Sequence, residues 1–318
     1  MRSKPFAIFT WAVLLFTLMI IVWGAFVRAT GSGAGCGNHW PSCHGEIVPR
    51  TATMETVIEY THRLTGGLGG LFMIGLVVWA FFIYERKHPV VIAAVISLIF
   101  FMIEGGIGAG LVKFELVADN ASLARAIAIS LHLVNTFILL TFMTLTSWWA
   151  SGGQAIAWQK WQQEGWLIGL GLLAVILIGA TGAVTALGDT LFPDESLAEG
   201  LRQDLSPTVH WLKRLRVVHP LIALLTGLLM VQIGIKYRQQ TYSVEARRFA
   251  NGLIVMFVLQ LIGGFINVFL LAPVWMQLVH LFMADVVWIL LVLLGASVLA
   301  ETPEQQQKNR HPHRLAVH

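Results

Sequence analysis

The chain has 318 residues, of which 56% are hydrophobic and only 12% charged. Soluble domains carry about 25% charged residues, so the composition excludes a soluble globular protein and points to an integral membrane protein with little mass outside the bilayer. The formal net charge of +4 sits in short flanks, with no basic patch interleaved with aromatics, which excludes nucleic acid as a partner and leaves the lipid bilayer.

Eight apolar stretches reach the ~20 residues a helix needs to span the hydrocarbon core. They fall near 6–27, 57–83, 89–112, 124–149, 165–187, 210–235, 248–271 and 275–300. The first follows Arg2 and Lys4, is too long for the apolar core of a signal peptide, and has no clean small-x-small cleavage site after it. It therefore reads as a retained helix. With the N-terminus inside, the inner segments collect Arg2, Lys4, Arg86, Lys87, Lys160, Lys236, Arg238, Arg247, Arg248, Lys308, Arg310 and Arg314. That satisfies the positive-inside rule and places both termini in the cytoplasm of a cell whose plasma membrane the chain spans. Residues 303–318, with His311, His313 and His318, read as a disordered cytoplasmic tail. Lys213, Arg214 and Arg216 breach the rule at the outer mouth of the sixth span.

Only two cysteines occur, Cys36 and Cys43, in the first outer loop, Gly35-Cys36-Gly37-Asn38-His39-Trp40-Pro41-Ser42-Cys43-His44. An outer loop faces an oxidising compartment in which a disulfide persists. The pair is then a structural staple or a redox-active couple. A zinc site from Cys36, His39, Cys43 and His44 would have a spacing that matches no common zinc pattern.

The two halves of the chain resemble each other. Gly24-Ala25, Thr30 and Gly33 recur 155 residues later as Gly179-Ala180, Thr185 and Gly188. His62 and Leu64 recur at 157 as His219 and Leu221, Gly105-Gly106 at 158 as Gly263-Gly264, and His132 at 148 as His280. Four spans return the chain to its starting side, so the halves share one topology about an axis along the membrane normal. The expected fold is an all-α integral membrane protein. Its eight transmembrane helices form two pseudo-symmetric four-helix bundles, residues 1–150 and 151–302.

His62, His132, His219 and His280 lie on the second, fourth, sixth and eighth spans, two or three turns inside their outer ends. An ionisable side chain in the bilayer is costly and marks function. Paired imidazoles in a four-helix bundle can hold haem iron, so two pockets toward the outer face are expected. The halves also differ. Glu59 shares a helical face with His62, and its counterpart is Arg216; Glu104 has Ile262 as counterpart. A tightly held haem needs cations for its propionates, which Arg216, Lys213 and Arg214 could supply. A reacting centre needs a proton acceptor or an anion that stabilises positive charge, and Glu59 is the best placed. The structural alternatives are an ion pair of Glu59 with Arg63 or Arg28, and a helix-packing role for Glu104; Asp285 stays unassigned. The glycine runs Gly66-Gly67-Gly69-Gly70, Gly105-Gly106-Gly108-Gly110 and Gly263-Gly264 allow close helix packing, or a flat macrocycle against a helix.

The segment Glu59-Tyr-Thr-His62-Arg63-Leu-Thr-Gly-Gly67 resembles the signature of the haem A synthase family, membrane enzymes that make the haem of terminal oxidases. Gly35-Cys36, Trp40-Pro41, Cys43 and Gly45 are similar to that family's first outer loop, and the resemblance covers 6–300. It implies oxidation of a methyl substituent of haem O to a formyl group by successive hydroxylations and loss of water, giving haem A. It implies His62 and His132 as ligands of the substrate haem, His219 and His280 as ligands of a permanent haem b, and Glu59 as the catalytic carboxylate. Cys36 and Cys43 would pass electrons or shape the substrate pocket, and Arg63 is a further cation in reach of propionates. A haem O synthase (protohaem farnesyltransferase) is the implied neighbour, and an oligomer is compatible with the pattern. The loop 187–208 lacks the second cysteine pair that some members carry. Two other functions use the same residues: a bis-histidine di-haem electron-transfer cytochrome, and a repeat-built transporter with its site near the midplane.

Overall fold

The computed structural model describes residues 3–50, 52–204, 206–239 and 243–300. The tail 303–318 and Arg2 lie outside the described residues. Ten α-helices follow in order: α1 (Lys4–Ala29), α2 (Met54–Ile83), α3 (Pro89–Lys113), α4 (Leu123–Ala150), α5 (Trp166–Leu191), α6 (Leu197–Asp204), α7 (Trp211–Leu215), α8 (Val218–Gln239), α9 (Val244–Phe269) and α10 (Val274–Val298). No strand occurs among the described residues, and eight helical segments are long and apolar enough to cross a membrane. Their outer faces carry large exposed apolar side chains such as Met19, Leu225 and Phe265, 62%, 69% and 73% exposed. Water would not tolerate so continuous an apolar surface, and lipid requires it.

Local chemistry sets the helix starts. Thr53, Ser122 and Ser243 accept hydrogen bonds from the N–H groups of Thr56, Arg125 and Ala246 at 3.3, 3.2 and 3.0 Å, each satisfying an N–H that has no partner within its helix. His88 does the same for Val90 at 3.2 Å, and Pro89 opens α3 where its missing N–H costs nothing. The sixth span is broken: α7 ends at Leu215 and α8 begins at Val218. Pro220 sits in the first turn of α8, where a proline is tolerated. The break puts His219 at the very start of its helix.

α1 touches α2 and α4, and α3 touches α2 and α4; α5 touches α8 and α10, and α9 touches α8 and α10. The two rings meet where α4 and α1 pack on α10 and α5. Phe137 of α4 stacks on Trp288 of α10 with ring centroids 4.6 Å apart. The Trp288 indole donates to the Phe137 carbonyl at 2.6 Å, which satisfies the one polar atom this large apolar side chain buries. The segment after α5, expected to be plain loop, contains the short helix α6. Its position over the histidines follows from charges described below.

Candidate functional site

All four histidines line one continuous cavity of about 1830 Å³ at the end of the molecule that carries the disulfide. Two separate pockets were expected; the structure joins them. Single-ligand pockets usually enclose about 300–1,000 Å³, so this space is large enough for more than one small ligand.

Three of the imidazoles bring their Cε1 edge close to a glycine of a neighbouring helix. A Cβ on Gly24 would stand 3.0 Å from Cε1 of His62, one on Gly182 3.0 Å from Cε1 of His219, and one on Gly264 3.2 Å from Cε1 of His280. Gly108 is looser, its added Cβ 3.9 Å from Nε2 of His132. Any side chain at the first two positions would push the ring aside. This corrects the internal alignment. The counterpart of Gly24-Ala25 is Gly182-Ala183, 158 residues on, in step with the histidines; Gly179 instead packs on Phe137 and Leu133 of α4.

Each ring has a distinct neighbour. The Thr181 hydroxyl donates to the Ile178 carbonyl at 3.0 Å and lies 3.2 Å from Nδ1 of His219. With its proton committed, that oxygen accepts Nδ1–H and leaves Nε2 bare, the tautomer a metal ligand needs. Nδ1 of His132 is 3.0 Å from Oε1 of Glu104, though not aligned as a hydrogen bond. Glu104 in turn receives Asn135 Nδ2 and the Thr136 hydroxyl, each at 2.5 Å. The Gln260 amide is 3.3 Å from Nε2 of His280. Nδ1 of His62 and Nδ1 of His280 are buried with no hydrogen-bond partner. Buried polar atoms are rarely left so. Ring nitrogens without a protein partner, glycines that leave room beside the imidazoles, and the cavity volume together fit haem at both histidine pairs.

Beside His62 the disulfide loop is tied to α2. Cys36 and Cys43 are bonded to each other, which removes the zinc alternative, since both sulfurs are consumed. Glu59 is 3% exposed; its Oε2 accepts the Cys36 N–H at 2.8 Å and its Oε1 pairs with Arg63. Arg63 also donates to the carbonyls of His39 and Ser42, both at 2.7 Å. Of the two ion pairs considered for Glu59, Arg63 is the partner; Arg28 reaches across to α5 and α10. Gly35 must be glycine, because a Cβ there would lie 2.4 Å from the Glu55 backbone. Trp40, Pro41 and Ser42 of this loop line the cavity.

Two of the three cations expected at the second pair, Arg216 and Lys213, are already matched by protein carboxylates. Arg216 donates to Asp189 at 3.0 Å, Asp194 at 2.7 Å and Asp204 at 2.6 Å. Lys213 holds Asp194 at 2.6 Å and Gln203 at 2.5 Å. Burial alone would raise the Asp194 carboxyl; hydrogen bonds from Lys213 and Arg216 outweigh it and hold it below its ordinary value. These bonds fold α6 over the cavity, which Leu197, Gly200 and Leu201 line. Arg214 is exposed and does not line the cavity. The acids Asp189, Asp194 and Asp204 were missed by the sequence reading, although they precede three cations within one loop. Thr181, Gln260, Asn135 and Thr136 carried no signal beyond being polar in apolar spans. Asp285 is fully buried and neither carboxyl oxygen has a hydrogen-bond partner.

A family model described as cytochrome oxidase assembly protein, COX15-CtaA, matches residues 7–292. The chain is 47% identical over 291 residues to a protein of Thermus thermophilus named "Protoheme IX farnesyltransferase", covering 92% of this chain and 48% of that protein. It is 37% identical over 140 residues to a "Heme A synthase" of Exiguobacterium sp., 44% of this chain and 46% of that one. It is 40% identical over 131 residues to a "Heme A synthase" of Alkalihalophilus pseudofirmus, 40% of this chain and 42% of that one. The chain spans about half the length or less of these curated relatives.

Proposed function

The chain belongs to the COX15-CtaA family of cytochrome oxidase assembly proteins, and on that premise we propose that it is a haem A synthase, oxidising a methyl substituent of haem O to a formyl group. The observation that carries this reading is the inequality of two histidine pairs in one cavity. His62 and His132 have Glu59, Glu104 and a disulfide loop beside them; His219 and His280 have the neutral Thr181 and Gln260. Two rings of four helices, 1–150 and 151–302, support a pseudo-symmetric division into a substrate half and a cofactor half.

His62 and His132 are the ligands of the substrate haem O, and the disulfide loop keeps water from it. Both Glu59 oxygens are engaged, one by Arg63 and one by the Cys36 N–H. A carboxylate so fixed acts as an oriented anion that stabilises positive charge developing on the substrate, in preference to a mobile base. His219 and His280 would hold a haem b, which when bound supplies one-electron transfer beside the substrate. Thr181 fixes the orientation of His219, and α6, held by Arg216 and Lys213, closes that side.

The positive-inside count supports cytoplasmic termini and a cavity toward the outer face of the plasma membrane. The Thermus relative, about twice the matched length and named a protohaem IX farnesyltransferase, supports a haem O-forming enzyme as the neighbour that supplies the substrate. A di-haem electron-transfer cytochrome would leave the Glu59 clamp without work. A midplane transporter would not gather four histidines at one end.

Purification of the chain and its His219→Ala variant from cells supplied with haem O tests the division. The wild type is expected to carry haem b tightly and haem O exchangeably, and the variant to lose haem b. Two equally tight, non-exchanging haems would overturn the assignment.

A further inference from the structure

The arginines that line the cavity fall into two classes. Arg63 and Arg216 face carboxylates of the protein itself, at Glu59 and at Asp189, Asp194 and Asp204. Arg28 and Arg125 also line the cavity, yet among the described residues no carboxylate lies within 4 Å of either guanidinium. The acids nearest in charge are Asp189, held at 3.0 Å by Arg216, and the exposed Asp119. Arg28 donates to the Ala186 carbonyl at 2.8 Å, the Thr190 hydroxyl at 2.9 Å and the Gln277 side-chain oxygen at 2.9 Å. Arg125 is 3% exposed; it donates through Nη1 to the Asn120 carbonyl at 2.9 Å and to the Ala118 carbonyl, and its Nε is buried with no partner. A guanidinium has five N–H donors, so each of these retains donors that the protein does not engage. A buried cation with no carboxylate in contact is costly; Arg125 is buried outright and Arg28 half-buried.

Their position is specific. Arg28 lies one turn beyond Gly24, which backs His62. It bonds Ala186, one turn beyond Gly182, which backs His219, and Gln277, three residues before His280. Arg125 lies two turns before His132 on α4. Two cations with free donors thus stand over the imidazoles from both halves, at the disulfide-bearing end of the cavity.

We propose that Arg28 and Arg125 receive the carboxylate side chains of the tetrapyrroles bound in this cavity, the role the sequence alone suggested for Arg216, Lys213, Arg214 and Arg63. The inference rests on the reading of the cavity as a haem site and adds the residues that recognise the ligand's anionic edge. Arginine suits the task because its planar fork meets a carboxylate with two parallel bonds.

The test compares iron protoporphyrin IX with its dimethyl ester, titrated by Soret absorption into the full chain purified in detergent from haem-depleted cells. The wild type should bind the free acid about tenfold to a hundredfold more tightly than the ester, the scale of hydrogen bonds to charged groups. Arg28→Gln and Arg125→Gln should each shrink that ratio, Arg28→Lys and Arg125→Lys should keep part of it, and Arg214→Gln, at an exposed residue outside the cavity, should leave it intact. A purely structural role would weaken both ligands alike and leave the ratio unmoved. Equal wild-type affinities, a ratio unchanged in all four Arg28 and Arg125 variants, or a ratio lost in Arg214→Gln would overturn the proposal while leaving the haem site standing. No Soret change with either ligand would overturn the haem site itself.

Discussion

The carboxylate of Glu59 accepts the backbone N–H of Cys36 at 2.8 Å, so the acid nearest the first histidine pair and the disulfide loop move as one unit. Arg63 closes the unit by holding Glu59 and the carbonyls of His39 and Ser42. Bonds to ionised groups are roughly twice as strong as neutral ones, so the negative charge both orients the loop and is oriented by it. Glu59→Gln keeps the shape and removes the charge; haem A yield should fall about a hundredfold or more, the low end of what losing one oriented electrostatic group costs, with the second-half haem spectrum intact. Glu59→Ala should in addition release the loop, read as faster reduction of Cys36–Cys43 by an impermeant thiol. Normal haem A yield in both variants would remove Glu59 from the chemistry.

The glycines behind the imidazoles separate close approach from mere openness. Gly24→Ala and Gly182→Ala each place a Cβ 3.0 Å from an imidazole carbon, and overpacking of this kind costs about 1–3 kcal/mol. A Cβ on Gly75, which is exposed and lies outside the cavity, meets nothing within 4 Å, so Gly75→Ala should be neutral or slightly stabilising. Gly182→Ala should shift the resident haem's absorption, and Gly24→Ala should depress haem O conversion while sparing that band. Identical behaviour of all three variants would contradict this contact geometry.

Thr181 makes a finer prediction. Its oxygen holds Nδ1 of His219 at 3.2 Å, and loss of such a support to a ligating histidine typically costs about 10–100-fold in affinity or activity. Thr181→Ala should speed loss of the resident haem on that scale, and Thr181→Ser should restore it. Unchanged haem retention in Thr181→Ala would show that the contact does not orient the ring.

Much of this site was legible in the sequence because bilayer chemistry is strict. A histidine or a glutamate inside an apolar span needs a reason, so His62, His132, His219, His280, Glu59 and Glu104 stood out and all line the cavity. The eight spans were equally plain, since their length is set by the membrane. What stayed hidden depends on side-chain reach. Arg28 looked like a partner for Glu59, yet its long side chain crosses to Ala186 and Gln277. The loop after α5 gave too short a signal to read, because α6 spans only eight residues with Leu197 and Leu201 on one face, and Asp204 and Gln203 tie it to Arg216 and Lys213 on the next span. Gly182 was passed over for Gly179 because a repeat of small residues leaves the register ambiguous until the imidazole fixes it.

Asp194 supplies a pH dependence. Its hydrogen bonds to Lys213 and Arg216 hold the carboxyl below its ordinary value, so the folded pKa is depressed. The stabilisation is complete above the unfolded value, about 3.9, and is lost as pH falls through the lower folded one. Residues 192–204 should therefore stay docked through neutral and mildly acidic pH and loosen only below the ordinary carboxylate range, as followed by hydrogen exchange. Asp194→Asn should loosen them at every pH. Release of the wild-type loop between pH 5 and 7 would contradict the ion-pair account of its docking.

The most direct test of the chain as a haem O-oxidising enzyme is mass-resolved chromatography of haems extracted from cells that express it together with a haem O synthase. Haem A should appear, in amounts that depend on this chain and vanish without it. Persistence of haem O alone, with the purified protein carrying only haem b, would contradict the proposed reaction.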